Sequence, residues 1–302
     1  MNVNALRDAD NDPGFYVAAT SAAKNWPGAI LYQSSDGGAS FQSIATLTAR
    51  ATMGMTLSTL GNYFGGNTVD ELNTVDVRLY SGALSSVTYE GLLEGVQAAL
   101  IGDELVYFRS AHLNANRTYT LRGFLRGRRG TEHEIKNHGP GERFVLLTPA
   151  NIKRITQSTA DIGKTRLYKA VTSGQKFESV QAKPFTNEGA ALKPYAPVHI
   201  GGGRLVDGSL PITWVRRSRI SGEWRDYVDI PVGEEIELYE IEICSFGFES
   251  VVRAVTVKDS TSYMYDAAAQ IEDFGSLQPV LYVRIFQISA TVGRGYPATA
   301  II

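Results

Sequence analysis

Leu210-Pro211-Ile212-Thr213-Trp214-Val215-Arg216-Arg217 is rich in β-branched and aromatic residues, and it opens a series. Glu237 to Cys244, Val251 to Val257, Ser262 to Tyr265, Leu281 to Ile288 and Ala298 to Ile302 follow it, separated by turn-forming residues. Six such strands in about 110 residues predict an antiparallel β-sandwich. Just upstream, Asn187 to Pro197 reads as a linker, because Pro194 and Pro197 hold the backbone extended. The expected domains are therefore 1–190 and 191–302.

The first domain also reads as strands. Phe15 to Ala18 follows the turn Asp12-Pro13-Gly14. Gly28 to Gln33 and Ser40 to Ala45 flank Ser34-Ser35-Asp36-Gly37-Gly38, whose Asp-Gly supplies the positive backbone angles of a hairpin turn. Asp76 to Tyr80 alternates polar and apolar residues. Glu104 to Arg109, Arg117 to Arg122, Arg143 to Leu147 and Arg166 to Val171 complete the set. Ser86 to Ala99 stays ambiguous: Leu92, Leu93 and Val96 suit one helix face, while Gly91 and Gly95 oppose a helix. The fold class expected for the whole chain is all-β.

Composition narrows the function. Over 302 residues and 32.9 kDa, 29 basic and 31 acidic residues give a net charge of −2, without the basic surplus of a nucleic-acid-binding domain. Hydrophobic residues at 43% allow a packed core. The single Cys244 excludes an internal disulfide framework and sits in an apolar run, as a buried structural thiol would. No signal-like segment opens the sequence, and no stretch approaches the ~20 apolar residues of a membrane span.

The motifs with chemical meaning are few. His133 and His138 are five apart, not the four of a zinc-protease helix, and Gly139-Pro140-Gly141 would stop any helix, so an exposed loop is expected. Asp8, Asp10 and Asp12 alternate like the start of a calcium loop, but Pro13 and Ala19 stand where Gly and Glu belong; ion binding there is left open. Gly201-Gly202-Gly203 lacks phosphate-loop spacing. Ser34 to Phe41 resembles the Asp-box hairpin of sialidase-type propellers, a structural motif, in a single copy. The basic run Leu121-Arg122-Gly123-Phe124-Leu125-Arg126-Gly127-Arg128-Arg129-Gly130-Thr131 reads as a bulged strand ending in a Gly-rich turn, its Arg forks available for carboxylates.

Several stretches together resemble a known family. They are Trp26 to Ala29, Leu31-Tyr32, Ser34 to Phe41, Val77 to Leu84 (VRLYSGAL), Ile101 to Phe108 (IGDELVYF), Leu121 to Thr131, His138 to Leu147 (HGPGERFVLL), Pro197 to His199 and Trp214 to Arg219. In this order they are similar to the C-terminal region of the baseplate or tail-tip hub proteins of gene transfer agents and related long-tailed phages. The second domain resembles a fibronectin type III domain, with Trp214 as the tryptophan buried between its sheets and Tyr282 to Ile285 in the penultimate strand.

The resemblance implies a structural virion protein at the tail tip or baseplate, made in the host cytoplasm. A homotrimer near the tail axis is expected, touching hub, distal tail ring and tail fibre proteins. Longer relatives carry a barrel-like region and tube-like hub domains upstream, for which this chain has no room; a separate gene product or one piece of a larger protein is expected. No cofactor and no catalysis are expected. Arg122, Arg126, Arg128 and Arg129 are the candidate subunit-interface residues. The alternative is a host-surface receptor or glycan binder at the tail end, with Trp26 and Trp224 in contact. A cell-wall hydrolase is the remote alternative, needing two carboxylates in a cleft.

Overall fold

A computed structural model describes residues 1–21, 23, 25–222 and 227–302. The fold is all-β. It divides into two units, one of Met1–Leu6 with Asp12–Ala191 and one of Arg7–Asn11 with Leu192–Ile302.

In the first unit the strands are β1 (Phe15–Ala18), β2 (Ala29–Ser34), β3 (Gln42–Leu47), β4 (Met53–Thr56), β5 (Asp70–Ser81), β6 (Ala98–Ile101), β7 (Glu104–Leu113), β8 (Tyr119–Leu125), β9 (Arg143–Leu146), β10 (Ile152–Ile155), β11 (Thr165–Thr172) and β12 (Lys183–Thr186). One helical turn, α1 (Tyr89–Leu93), settles the ambiguous stretch; the Thr88 hydroxyl caps it by accepting the Gly91 N–H.

β4-β5-β8-β7-β6-β9 close into a six-stranded barrel, sealed where β4 pairs with β9. Period-two alternation sorts its side chains into two cores. Ala99 and Ile101 of β6, Val106 and Phe108 of β7, and Phe144 and Leu146 of β9 point inward with Val75, Val77, Leu121 and Phe124. Their neighbours Leu100, Leu105, Val145 and Leu147 point outward into a second core with Val3 and Tyr16. These strands are buried on both faces. The frame around the barrel mixes strands from before and after it: β1 pairs with β10, and β12-β11-β2-β3 form a sheet. Phe15, Leu31, Leu47, Ile155 and Tyr168 pack there.

The β2–β3 turn behaves as the Asp-box resemblance implies. Ser34 Oγ donates to Asp36 Oδ1 at 2.7 Å and accepts the Gly38 N–H at 2.9 Å, while Asp36 accepts the Ser40 N–H at 3.0 Å. Bonds from Ser40 and Ser34 hold the Asp36 carboxyl well below the usual carboxylate range.

The second unit contains β13 (Val198–Gly202), β14 (Leu210–Val215), β15 (Leu238–Cys244), β16 (Val251–Lys258), β17 (Ser262–Tyr265), α2 (Ala267–Phe274), β18 (Tyr282–Ser289), β19 (Gly293–Arg294) and β20 (Ala298–Ile301). One sheet runs β13-β14-β17; the other runs β16-β15-β18, with β19 and β20 also on β18. This antiparallel sandwich of three and five strands is fibronectin type III-like in strand order. Trp214 is 3% exposed, and its ring meets Tyr239 edge-on at 5.1 Å. Ile212, Ile241, Ile243, Tyr265, Val283 and Ile285 fill the same core. Cys244 is buried at the end of β15, and burial raises its thiol pKa. The sequence reading missed α2, although Asp266 at its N-cap and Gly275 at its C-terminus (φ 76°) are ordinary helix signals.

Candidate functional site

The densest charged constellation lies at one end of the barrel. Asp70 begins β5, Glu104 begins β7, Arg126 follows β8, and Glu142 precedes β9. Arg126, Asp70 and Glu104 have side chains 0% exposed. Arg126 uses its whole guanidinium. Nε donates to Glu104 Oε1 at 2.9 Å, and Nη2 to Glu104 Oε2 at 2.8 Å and the Ile135 carbonyl at 3.1 Å. Nη1 donates to Asp70 Oδ2 at 3.0 Å and the Gly61 carbonyl at 2.9 Å. A buried planar fork with every N–H paired is the form in which a charge is tolerated inside a protein.

The network continues through His138. Its Nε2 lies 2.8 Å from Glu104 Oε2 and its Nδ1 2.7 Å from Glu142 Oε2. Ionised carboxylates only accept, so both ring nitrogens donate and the ring is an imidazolium. Burial lowers the His138 pKa, but the bonds from Glu104 and Glu142 outweigh it and the net shift is upward. Glu104 also accepts the Gly127 N–H at 2.7 Å. The local backbone makes this approach: Gly127, Arg129 and Gly130 all have positive φ (57°, 52° and 85°), so the chain coils tightly beneath the carboxylate. A Cβ on Gly127 would lie 2.7 Å from Ile135 Cδ1.

Five charged groups thus tie the β4–β5 loop, the β6–β7 turn and the β8–β9 loop to one point. Asp70 and Glu104 are buried and paired with Arg126 and His138, while Glu142 is part-exposed at the margin; the constellation braces the barrel end.

The interface candidates separate. Arg126 is corrected: it holds carboxylates, but those of its own barrel, and is sealed from any neighbouring subunit. His138 is corrected too, from an exposed loop residue to a buried pin. Arg128 donates to Asn67 Oδ1 at 3.2 Å and lies over the Tyr107 ring at 5.4 Å. Arg129 donates to the Ala5 carbonyl at 3.0 Å, and its own carbonyl accepts from the Asn4 side chain, so it straps residues of the N-terminal segment to the barrel. Arg122 is exposed on the outer face of β8, next to inward Leu121. Of the four it is the exposed residue; Arg128 and Arg129 are half-buried.

Trp26 is half-buried against the β2–β3–β11 core, where its indole N–H donates to Thr172 Oγ1 at 3.0 Å, so part of the ring is committed to packing. Trp224 lies outside the described residues. The three N-terminal aspartates have separate partners: Asp8 accepts the Ser221 N–H, Asp10 pairs with Arg7, and Asp12 pairs with Arg154 and the Gly14 N–H. Among the described residues no group of three His, Cys, Asp or Glu side chains is placed to hold a metal ion. No described helix is long and apolar enough to cross a membrane.

Residues 51–145 match the family model described as Rcc01698-like, C-terminal, and that span coincides with the closed barrel. The match covers under half of the 302-residue chain. No curated protein matches. Among solved structures, the chain is similar to titin domains A168-A170, at 15% identity over 90% of this chain and 74% of that one, TM-score 0.25. It is likewise similar to the chicken CNTN1 FN1-FN3 domains, at 9% identity over 90% of both chains, TM-score 0.25. At such scores neither likeness bears on fold or function.

Proposed function

We propose that this chain is a structural component of a phage-like particle, placed at the tail tip or baseplate, where it assembles near the tail axis as a homotrimer and docks hub, ring or fibre proteins. One observation carries the reading. The family-model match falls on the barrel, the same segment in which VRLYSGAL, IGDELVYF and LRGFLRGRRGT resemble the tail-tip proteins of gene transfer agents. The braced barrel end supports a load-bearing role over catalysis: its buried acids are spent on Arg126 and His138, and a rigid closed barrel presents outer faces and loops to neighbours. Of the interface candidates, Arg122 is the exposed residue and the first choice for a partner's carboxylate.

The test is stoichiometry and position. Particles carrying a tagged copy of the chain are purified, counted by quantitative mass spectrometry and imaged with symmetry resolved. A multiple of three copies at the tail end supports the proposal; absence from purified particles, or label along the tube or capsid, overturns it. Arg122→Glu should lower incorporation several-fold while the isolated chain keeps its wild-type melting curve.

A further inference from the structure

One sheet edge of the second unit is long and, among the described residues, unpaired. β13 is bulged between Val198 and Gly201, β17 and β20 have four residues each, and β19 has two. β16 has eight residues, Val251-Val252-Arg253-Ala254-Val255-Thr256-Val257-Lys258, contains neither Pro nor Gly, and borders the larger sheet. An edge of this length is a template for another strand unless something blocks it.

The ladder shows which groups are free. The Asp259 N–H donates to the Glu237 carbonyl at 2.9 Å, and the register pairs Tyr239 with Val257, Ile241 with Val255 and Ile243 with Arg253. Bonded and non-bonded pairs alternate in antiparallel sheets. Arg253, Val255 and Val257 therefore spend their N–H and C=O groups on β15, while Ala254, Thr256 and Lys258 turn theirs outward. All three are exposed, and no strand among the described residues pairs with that side.

We infer that β16 pairs with β16 of a second copy of this chain, antiparallel and two-fold about Thr256, merging two sheets into one. The sequence is self-complementary in this register. Thr256 faces its own equivalent, Val255 faces Val257 and Ala254 faces Lys258, while Arg253, already paired with Glu272 and Asp273 of α2, comes opposite Asp259 just past the strand end. Opposed residues share a face, no like charges meet, and Thr–Thr and Val–Val pairs are favourable across strands. The outward N–H and C=O groups of Ala254, Thr256 and Lys258 are all satisfied. A register centred on Val255 would set Lys258 against Val252, and one centred on Ala254 would set Thr256 against Val252, in both cases at the irregular start of the strand, where the pairing with β15 shifts. This fit of the edge to itself selects a second copy over an unrelated strand.

Sedimentation equilibrium of the full chain over a concentration series tests the pairing, on the wild type and on Thr256→Lys, Thr256→Glu and Thr256→Pro. The Thr256 side chain is exposed and its N–H lies outside the β15 ladder, so these changes leave the sandwich intact, as circular dichroism will verify; an edge strand tolerates Pro. The wild-type mass should double as concentration rises. Each single variant should weaken doubling at least tenfold, and an equimolar mixture of Thr256→Lys and Thr256→Glu should restore it, because opposite charges then meet on the two-fold axis. A ratio of two is the readout, so it stands apart from any assembly through the barrel and from the tail-tip reading. A wild type whose mass never doubles overturns the inference, as does doubling that Thr256→Lys and Thr256→Pro leave unchanged or that the mixture fails to restore.

Discussion

Replacing Arg126 is the sharpest test of the barrel brace. Arg126→Ala would strand the carboxylates of Asp70 and Glu104, both fully buried, and orphan the carbonyls of Gly61 and Ile135. Removing one partner of a buried ion pair costs about 3–5 kcal/mol, and here one cation serves two acids, so the upper end of that range is expected. Arg126→Lys keeps the charge but replaces five fixed donors by three on a flexible stem. It loses about two charge-assisted bonds, worth roughly 1.5–3 kcal/mol each, part of which water or relaxation recovers; a net loss of about 3 kcal/mol is expected. For a unit of this size that lowers the melting temperature by about 6–12 °C.

The assay must look at the barrel itself. Trp26, Trp214 and Trp224 all lie outside residues 53–146, so tryptophan fluorescence is blind to it. Hydrogen exchange followed by mass spectrometry reads peptides from β6, β7, β8 and β9 directly, with second-unit peptides as the internal reference. Both variants should speed exchange in the barrel and leave the sandwich unchanged. Barrel protection within about 1 kcal/mol of wild type in Arg126→Ala would refute the claim that these charges depend on one another.

Three further expectations concern other parts of the chain. The folded pKa of His138 is raised above its ordinary 6.5, so its stabilisation is complete below that value and is lost as pH rises through the folded one; barrel protection should fall as pH rises above 6.5, and His138→Gln should flatten that fall, whereas a barrel that gains protection there would contradict the imidazolium. Trp214→Ala should cost ~3–5 kcal/mol in the second unit by urea titration, and a loss under ~1 kcal/mol would remove Trp214 from the heart of the sandwich core. Asp36→Ala should quicken exchange at the Ser40 amide and leave β7 and β8 unaffected, and unchanged exchange at Ser40 would show that the hairpin needs no side-chain clasp.

What was readable in the sequence follows a physical line. Strands with one wet face announce themselves, and Asp76 to Tyr80 was read inside the longer β5. Trp214 and the Ser34–Asp36 clasp were legible because each depends on neighbours close in sequence or on one very large side chain. Ala98-Ala99-Leu100-Ile101 was not, because β6 is apolar on both faces and shows no alternation. The order β4-β5-β8-β7-β6-β9 depends on pairings far apart in sequence, which no local pattern encodes. The brace failed to show for the same reason: Arg126 and His138 look like surface residues until Asp70 and Glu104 are brought to them. Gly127 and Gly130 were the available hint, since a chain coiled that tightly is built to approach something.

The pairing of Met53 with Val145 means that the polypeptide enters and leaves the barrel at adjacent points, while β1, β2 and β3 on one side of it in sequence join β10 and β11 on the other or each other. The barrel is thus a cassette inserted into a smaller host fold. Ends that meet are what domain insertion requires, so a short loop from residue 52 to residue 147 should let the host close without its guest, and the excised piece should fold once the outward side chains of Leu100, Leu105 and Val145 are made polar.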